Sequence, residues 1–359
     1  MRQSLRDGFR GCMIGGVIGD AMGSPVECKY WNGISDDRVR IEFGEEDSSP
    51  NSQINKRPKM VQGEVKPYTD DTAMARVLGE TLLESGKSLP SPRTLATAFY
   101  NGYFKEPNRG YGLGVVSVFK ALRESKAEFP FAPAEKQFEG SGSYGNGAAM
   151  RIHPLALYAH EVLNDSQMLS AVKDASRVTH AHHEGINGAL IQSMAVRIAL
   201  RGEDNLLNIL LGLSGDMTEE GSGENDETFA SQMQLLQHKL LHPEEDPLDL
   251  GNDVSALKSV PSAIYSFLRV REGPSSPFSE VSSPFQRTLM TAVGFGGDTD
   301  TIASMAGAIA GAWYGESGIP GALMEQCEWA QGARAMGDAL YELYEDRKNK
   351  VEDEQLKDN

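Results

Sequence analysis

Two clusters of oxygen-bearing side chains carry the chemistry legible in this sequence. "YTDDTAM" places Thr69, Asp70 and Asp71 ahead of an apolar run, and "GFGGDTDTIA" places Asp298, Asp300 and Thr301 ahead of another. Carboxylate and hydroxyl oxygens are hard donors, so the set suits Mg²⁺ better than Zn²⁺. Either cluster alone is accounted for by helix capping, since Thr or Asp at an N-cap and acids in the first turn complement the helix dipole without a metal. Together they exceed what capping uses. If the two helix starts meet, their four carboxylates cannot all stay ionised without counter-charge, which a pair of divalent ions would supply.

Three further stretches could serve such a centre. "FEGSGSYGNGAAMR" has glycines at 140, 142, 145 and 147 and leads into a helix start. Its backbone N–H groups could converge on an anion such as a diphosphate, although no Gly-Lys-Ser/Thr follows as in a Walker loop. "THAHHEGING" carries His180, His182 and His183, whose spacing does not set three imidazoles on one helix face. One working histidine, stacked on a base or bonded to a phosphate, is the reading it supports. "GCMIGGVIGDAMGSPVE" repeats glycine at 11, 15, 19 and 23. Each costs a helix about 1 kcal/mol relative to alanine, which implies close packing against another helix or a ligand, with Asp20 and Glu27 presented beyond the stripe.

These groups need rigid elements to hold them, and the pattern of the chain is helical. Ser91 and Pro92 read as N-cap and first helical position. "SQMLSAVKDASRVTHAHHEGINGALIQSMAVRIALRG" reads as one or two helices ending at Gly202, "ETFASQMQLLQHKLLH" as another, and "PGALMEQCEWAQGARAMGDALYELYEDRK" as a closing pair. Only "VRIEF", Val39 to Phe43, alternates like a strand. The stretch from Ile302 to Gly315 is apolar, but its 14 residues fall short of the roughly 20 that span a bilayer. It reads as a buried helix, with Gly307 and Gly311 on one face for a close neighbour. The expected fold is a single compact all-α domain over 1–348, with 349–359 a frayed acidic tail. The polar segment 44–66 and the acidic segment 214–227 read as loops, the second as mobile.

Among 359 residues there are 34 basic and 51 acidic side chains, a net charge of −17. Such a surface repels nucleic acid and anionic membranes, so any anionic ligand must be captured locally. Three scattered cysteines argue for a reduced compartment and against a disulfide framework. The charged start "MRQSLRDGFRG" has no apolar signal region. The expectation is a cytoplasmic protein, also nuclear, without a membrane partner, and a monomer because heptads are lacking.

In their order along the chain, "GCMIGGVIGDAMGSPVE", "YTDDTAM", "GSYGNGAAMR", "THAHHEGING" and "GGDTDTIASMAGAIAGAWYG" resemble the ADP-ribosylglycohydrolase family. The resemblance covers nearly the whole chain. Its wording is similar to the branch that removes ADP-ribose from serine and trims poly(ADP-ribose). It implies an all-α domain with two Mg²⁺ ions in a central cleft. Thr69, Asp70 and Asp71 would hold one ion and Asp298, Asp300 and Thr301 the other, with Asp300 bridging. Glu27 falls where that branch keeps a mobile glutamate that reaches a metal, and Glu27, Asp70 and Asp300 would share the catalytic work. Ser141, Gly142, Ser143, Tyr144, Gly145, Asn146 and Gly147 would cradle the diphosphate and distal ribose. Phe138 and His180 would line the cleft and Val254 would contact the adenosine side. The implied substrates are serine-linked ADP-ribosylated proteins, with O-acetyl-ADP-ribose and poly(ADP-ribose) besides. An arginine-linked specificity, or a silent ADP-ribose-binding or structural relative, is the alternative. His182, His183 and Glu184 depart from the small residues of the serine branch.

Overall fold

Nineteen residues, Leu5–Gly23, form α1, opened by Ser4, whose hydroxyl accepts the Asp7 N–H. A computed structural model describes residues 4–44, 65–217, 227–272 and 276–357. The helices that follow are α2 (Asp36–Glu42), α3 (Asp70–Ser85), α4 (Pro92–Lys105), α5 (Leu113–Glu124), α6 (Ala132–Glu135), α7 (His153–Tyr158) and α8 (Asp165–Arg177). Then come α9 (His183–Arg201), α10 (Leu206–Gly215), α11 (Phe229–Leu241), α12 (Ala256–Glu272), α13 (Pro284–Gly294), α14 (Thr299–Tyr314), α15 (Gly321–Glu325) and α16 (Ala330–Lys357). Among the described residues there is no strand, only the bridge pairs Lys66–Cys327 and Gly145–Ser255.

The centre of the fold is α14, buried from Thr299 to Ala312 and packed on by α1, α9, α12 and α13. The glycine stripe of α1 explains the closest of these contacts. A Cβ at Gly15 would lie 2.1 Å from the Gly307 carbonyl oxygen, and one at Gly307 would lie 2.2 Å from that of Gly15. Gly11 and Gly311 form a second reciprocal pair, and Gly19 abuts the Ala303 carbonyl. The stripe is therefore a helix–helix seam rather than a ligand surface. No helix among the described residues is long and apolar enough to cross a membrane.

Capping signals act where the sequence places them. Ser91 accepts the Thr94 N–H at 3.1 Å, and Gly202 ends α9 in the left-handed region at φ 64°. The strand-like "VRIEF" is instead part of α2. Ser35 precedes it, Asp36 and Asp37 occupy its first turn, and the buried residues Val39 and Phe43 lie four apart on one helix face. Most of the segments 44–66 and 214–227 lies outside the described residues. The backbone of α16 runs to Lys357, through much of the segment read as a tail.

Candidate metal and substrate cleft

Each carboxylate cluster sits at a helix start, and α1 ties the two starts together. Thr69 caps α3, its hydroxyl accepting the Asp71 N–H at 3.3 Å. Asp20, wholly buried near the end of α1, accepts the Thr69 N–H on both carboxylate oxygens at 3.0 Å and the Thr72 N–H at 3.1 Å. It thereby satisfies backbone donors that the helix leaves unpaired. At the start of α14, Gly296 and Gly297 turn the chain through φ 68° and 63°. A Cβ at Gly296 would meet the Tyr30 carbonyl oxygen at 1.9 Å, so only glycine fits. The turn is pinned by Gly297 N–H to Tyr30 C=O and by Asp298 N–H to Asn252 C=O, both 2.8 Å. The Thr299 hydroxyl donates to the Gly23 carbonyl at 2.9 Å.

The clusters meet. The Thr301 hydroxyl donates to Asp71 Oδ1 at 3.3 Å across 230 residues of chain. Oxygens of Glu27, Asp298 and Asp300 lie within 4.8 Å of one another. Burial, then repulsion from Asp20, pushes Asp70 up to about 7. Burial alone drives Asp20 to about 6, against the pull of its hydrogen bonds. Asp71 and Asp300 are raised well above the carboxylate range by burial and then by their neighbours. Burial raises Glu27 and Asp298 too, in Asp298 against the pull of the Asn146 amide. Asp71 Oδ2 is buried without a partner, the signature of an acceptor awaiting a cation. All donors are hard oxygens, so the residues fit a divalent hard cation.

The sequence profile of the ADP-ribosylglycohydrolase family matches residues 1–350. The chain belongs to that family. It is 38% identical over 356 residues to the human protein named ADP-ribosylhydrolase ARH3, covering 94% of this chain and 93% of that one. The mouse protein of the same name is 36% identical, at 94% and 92% coverage. A Pseudomonas putida protein named ADP-ribosylarginine hydrolase Tri1 is 24% identical over 94% of this chain and 78% of its own length. A solved structure titled ADP-ribosylglycohydrolase-related protein complex shares the fold, with TM-score 0.61 and 23% identity over 94% of this chain and 98% of that one. This family member is an ADP-ribosyl hydrolase.

The enzyme has a cleft of about 340 Å³ into which Glu27, Asp70, Asp71, Asp298, Asp300 and Thr301 face. Phe138, Ser143, Gly145, Asn146, Gly147, His180 and Val254 line it as well. Thr69, Ser141, Gly142 and Tyr144 are not in its wall. Thr69 serves as the α3 cap, and the Ser141 hydroxyl donates to the Phe138 carbonyl at 2.8 Å. Gly142 packs against the His182 backbone. Tyr144 stands at the rim, its ring 5.9 Å from that of Phe138 and tilted 36° to it. Both rings are exposed, at 44% and 55%. The Asn146 side chain is committed to the carboxylate centre, donating to Asp298 Oδ2 at 2.6 Å and to Ser259 Oγ at 3.0 Å. The loop is fastened to the Val254 segment by Asn146 N–H to Val254 C=O at 2.9 Å and Ala256 N–H to Tyr144 C=O at 3.0 Å. Of the three histidines, only His180 lines the cleft. His182 caps α9.

Sequence reasoning missed Asp20 as a brace of the α3 start. It also missed Tyr111, Gln137, Met150, Arg151 and Thr179 in the cleft wall. Asp20 carried one usable signal, as the single acid in the small and apolar stretch Gly11–Gly23 of α1. Nothing local marks the others.

Proposed function

We propose that the enzyme hydrolyses the O-glycosidic bond between ADP-ribose and protein serine, with two Mg²⁺ ions as cofactor. The observation that carries this reading is the meeting of the two oxygen clusters in the wall of a cleft that Phe138, Gly145, Gly147 and His180 also line. Thr69, Asp70 and Asp71 would hold one ion, and Asp298, Asp300 and Thr301 the other, with Glu27 completing the set. When bound, the ions supply the positive charge that fixes the vicinal hydroxyls of the distal ribose and lowers the cost of the reaction's oxyanions.

The chain's own groups do the rest. Exposed Phe138 and Tyr144 offer π-faces to adenine. The glycine loop lets a diphosphate approach the backbone closely, as Gly145 and Gly147 line the cleft. Holding the ribose fixed presents its anomeric carbon to water in one orientation. Water attacks that carbon, the C–O bond to serine breaks through an oxocarbenium-like transition state, and the proton taken from the water is returned to the departing serine oxygen. Asp70, Asp300 and Glu27 would orient the water and take its proton. Glu27 is the least enclosed of the three, in keeping with a side chain that moves as substrate enters. The net charge of −17 disfavours tracking along a polyanion. Terminal units of poly(ADP-ribose), and O-acetyl-ADP-ribose, fit the same pocket. The catalytic unit is the single domain 1–348, working as a monomer in the cytoplasm and nucleus, with no nucleic-acid or membrane partner.

The test offers serine-linked and arginine-linked ADP-ribosyl peptides to the protein, with Mg²⁺ and with chelator, and measures free ADP-ribose. Release from the serine peptide with Mg²⁺ alone is expected. Preference for the arginine peptide, or release indifferent to chelator, contradicts the proposal.

A further inference from the structure

His180 lines the cleft, and one hydroxyl decides which of its nitrogens carries hydrogen. Arg151 is almost wholly buried, its guanidinium stacked on Phe99 with Cζ 4.5 Å from the ring centroid. One of its amino groups, Nη2, donates to the Ala175 carbonyl at 3.2 Å and to Thr179 Oγ1 at 2.6 Å. Arginine has hydrogens to give and no lone pair to offer. Burial lowers Arg151 only to about 10, so it stays a donor at neutral pH. The Thr179 hydroxyl therefore accepts from Arg151. Its other hydrogen-bond partner among the described residues is His180 Nδ1, at 2.8 Å. A hydroxyl has one hydrogen to give, and here it has one place to send it. Thr179 itself is fixed, since the Gln137 side-chain amide donates to its carbonyl at 2.7 Å.

We infer that Arg151 and Thr179 are positioning residues that lock His180 as a neutral imidazole with its hydrogen on Nε2, aimed at an acceptor oxygen of the bound ligand. The Nε2 edge of the ring faces the glycine loop: a Cβ at Gly147 would lie 3.1 Å from Nε2, and one at Gly145 3.7 Å. His180 is buried and beside a fixed cation, both of which hold it neutral, with its pKa lowered to about 3. It thus acts as a hydrogen-bond donor rather than as a proton carrier. The ligand atom that suits it is an oxygen with a free lone pair, as on a phosphate or a ribose hydroxyl. That last step rests on the proposed ADP-ribose site. The tautomer itself does not.

The experiment reads the tautomer in ligand-free protein by ¹⁵N–¹H correlation of labelled histidines at pH 7, with His180→Gln assigning the signal. Wild type and Thr179→Ser should show the Nε2–H form, and Thr179→Val should lose the Nδ1 hydrogen-bond shift and gain the Nδ1–H form. ADP-ribose binding by calorimetry should weaken about tenfold in Thr179→Val and recover to within about twofold in Thr179→Ser. Thermal melts confirm that each variant is folded. An Nδ1–H or doubly protonated His180 in wild type overturns the inference, as does a Thr179→Val protein with unchanged tautomer and affinity. Wild type that shows the Nε2–H form but fails to bind ADP-ribose supports the tautomer and contradicts the proposed function instead.

Discussion

Gly15→Ala is a one-methyl change that should damage a site the methyl never touches. The new Cβ would lie 2.1 Å from the Gly307 carbonyl oxygen and 2.8 Å from its carbon. That obstacle is backbone of the central helix, so rotamer changes cannot relieve it, and α1 must separate from α14 by about 1 Å. The helix gains about 1 kcal/mol of propensity from alanine. Overpacking costs about 1–3 kcal/mol and here sits at the upper end. The net effect is a loss of about 2 kcal/mol, seen as a fall of about 3 °C in Tm. Function should suffer more. The seam carries Asp20 on one side and the start of α14 on the other, and a misplacement of about 1 Å can cost about 100-fold in rate. Gly212→Ala is the control, because Gly212 is exposed in α10 with nothing within 4 Å of a built Cβ. It should add about 0.4–1 kcal/mol and leave turnover unchanged. The assay pairs thermal melts with ADP-ribose release. A Gly15→Ala protein as stable and active as wild type would refute the seam as the device that aligns the centre.

Asp20→Asn should keep the chain folded in chelator, since one amide oxygen can still accept the Thr69 and Thr72 N–H groups. It should weaken Mg²⁺ binding about 10–100-fold, measured by calorimetry; unchanged affinity would remove the bracing role. The carboxylates also set a pH dependence. Their folded-state pKa values are raised, to about 7 for Asp70 and about 6 for Asp20, so the metal-free fold holds protons that the unfolded chain has released. Their contribution to stability is full below the unfolded pKa near 4 and is lost as pH rises through about 6–7. On the proposed assignment, bound Mg²⁺ would replace those protons. The gain in Tm on adding Mg²⁺ should therefore grow from pH 5 to pH 8, and a gain that shrinks over that range would contradict the assignment.

What the sequence made legible was local. Ser91 with Pro92 and the terminating Gly202 announce helix ends because the capping side chain or glycine lies within a few residues of what it satisfies. Thr69–Asp71 and Asp298–Thr301 stand out because hard donors are consecutive, even though 230 residues separate Asp71 from the Thr301 hydroxyl that reaches it. Partnership across the chain was not legible. Asp20 works by accepting N–H groups 49 and 52 residues away, and a lone aspartate carries no sign of that. Asn146 belongs to Asp298, 152 residues on, although its setting in a glycine loop suggested a ligand contact. "VRIEF" was ambiguous for another reason. Five residues are too few to separate a period of two from a spacing of four, and only packing showed that Val39 and Phe43 are the buried pair.

The central claim is that these two distant clusters form one metal-dependent hydrolytic centre. Metal-stripped wild type and Asp300→Ala, each supplied with a serine-linked ADP-ribosyl peptide and increasing Mg²⁺, test it most directly. The account predicts no ADP-ribose release without Mg²⁺ and saturable release from wild type as Mg²⁺ is added. It predicts none from Asp300→Ala, although that variant stays folded in chelator, having lost only a buried carboxyl whose ionisation the metal-free site resists. Release by stripped wild type, or near-wild-type release by Asp300→Ala, would contradict it.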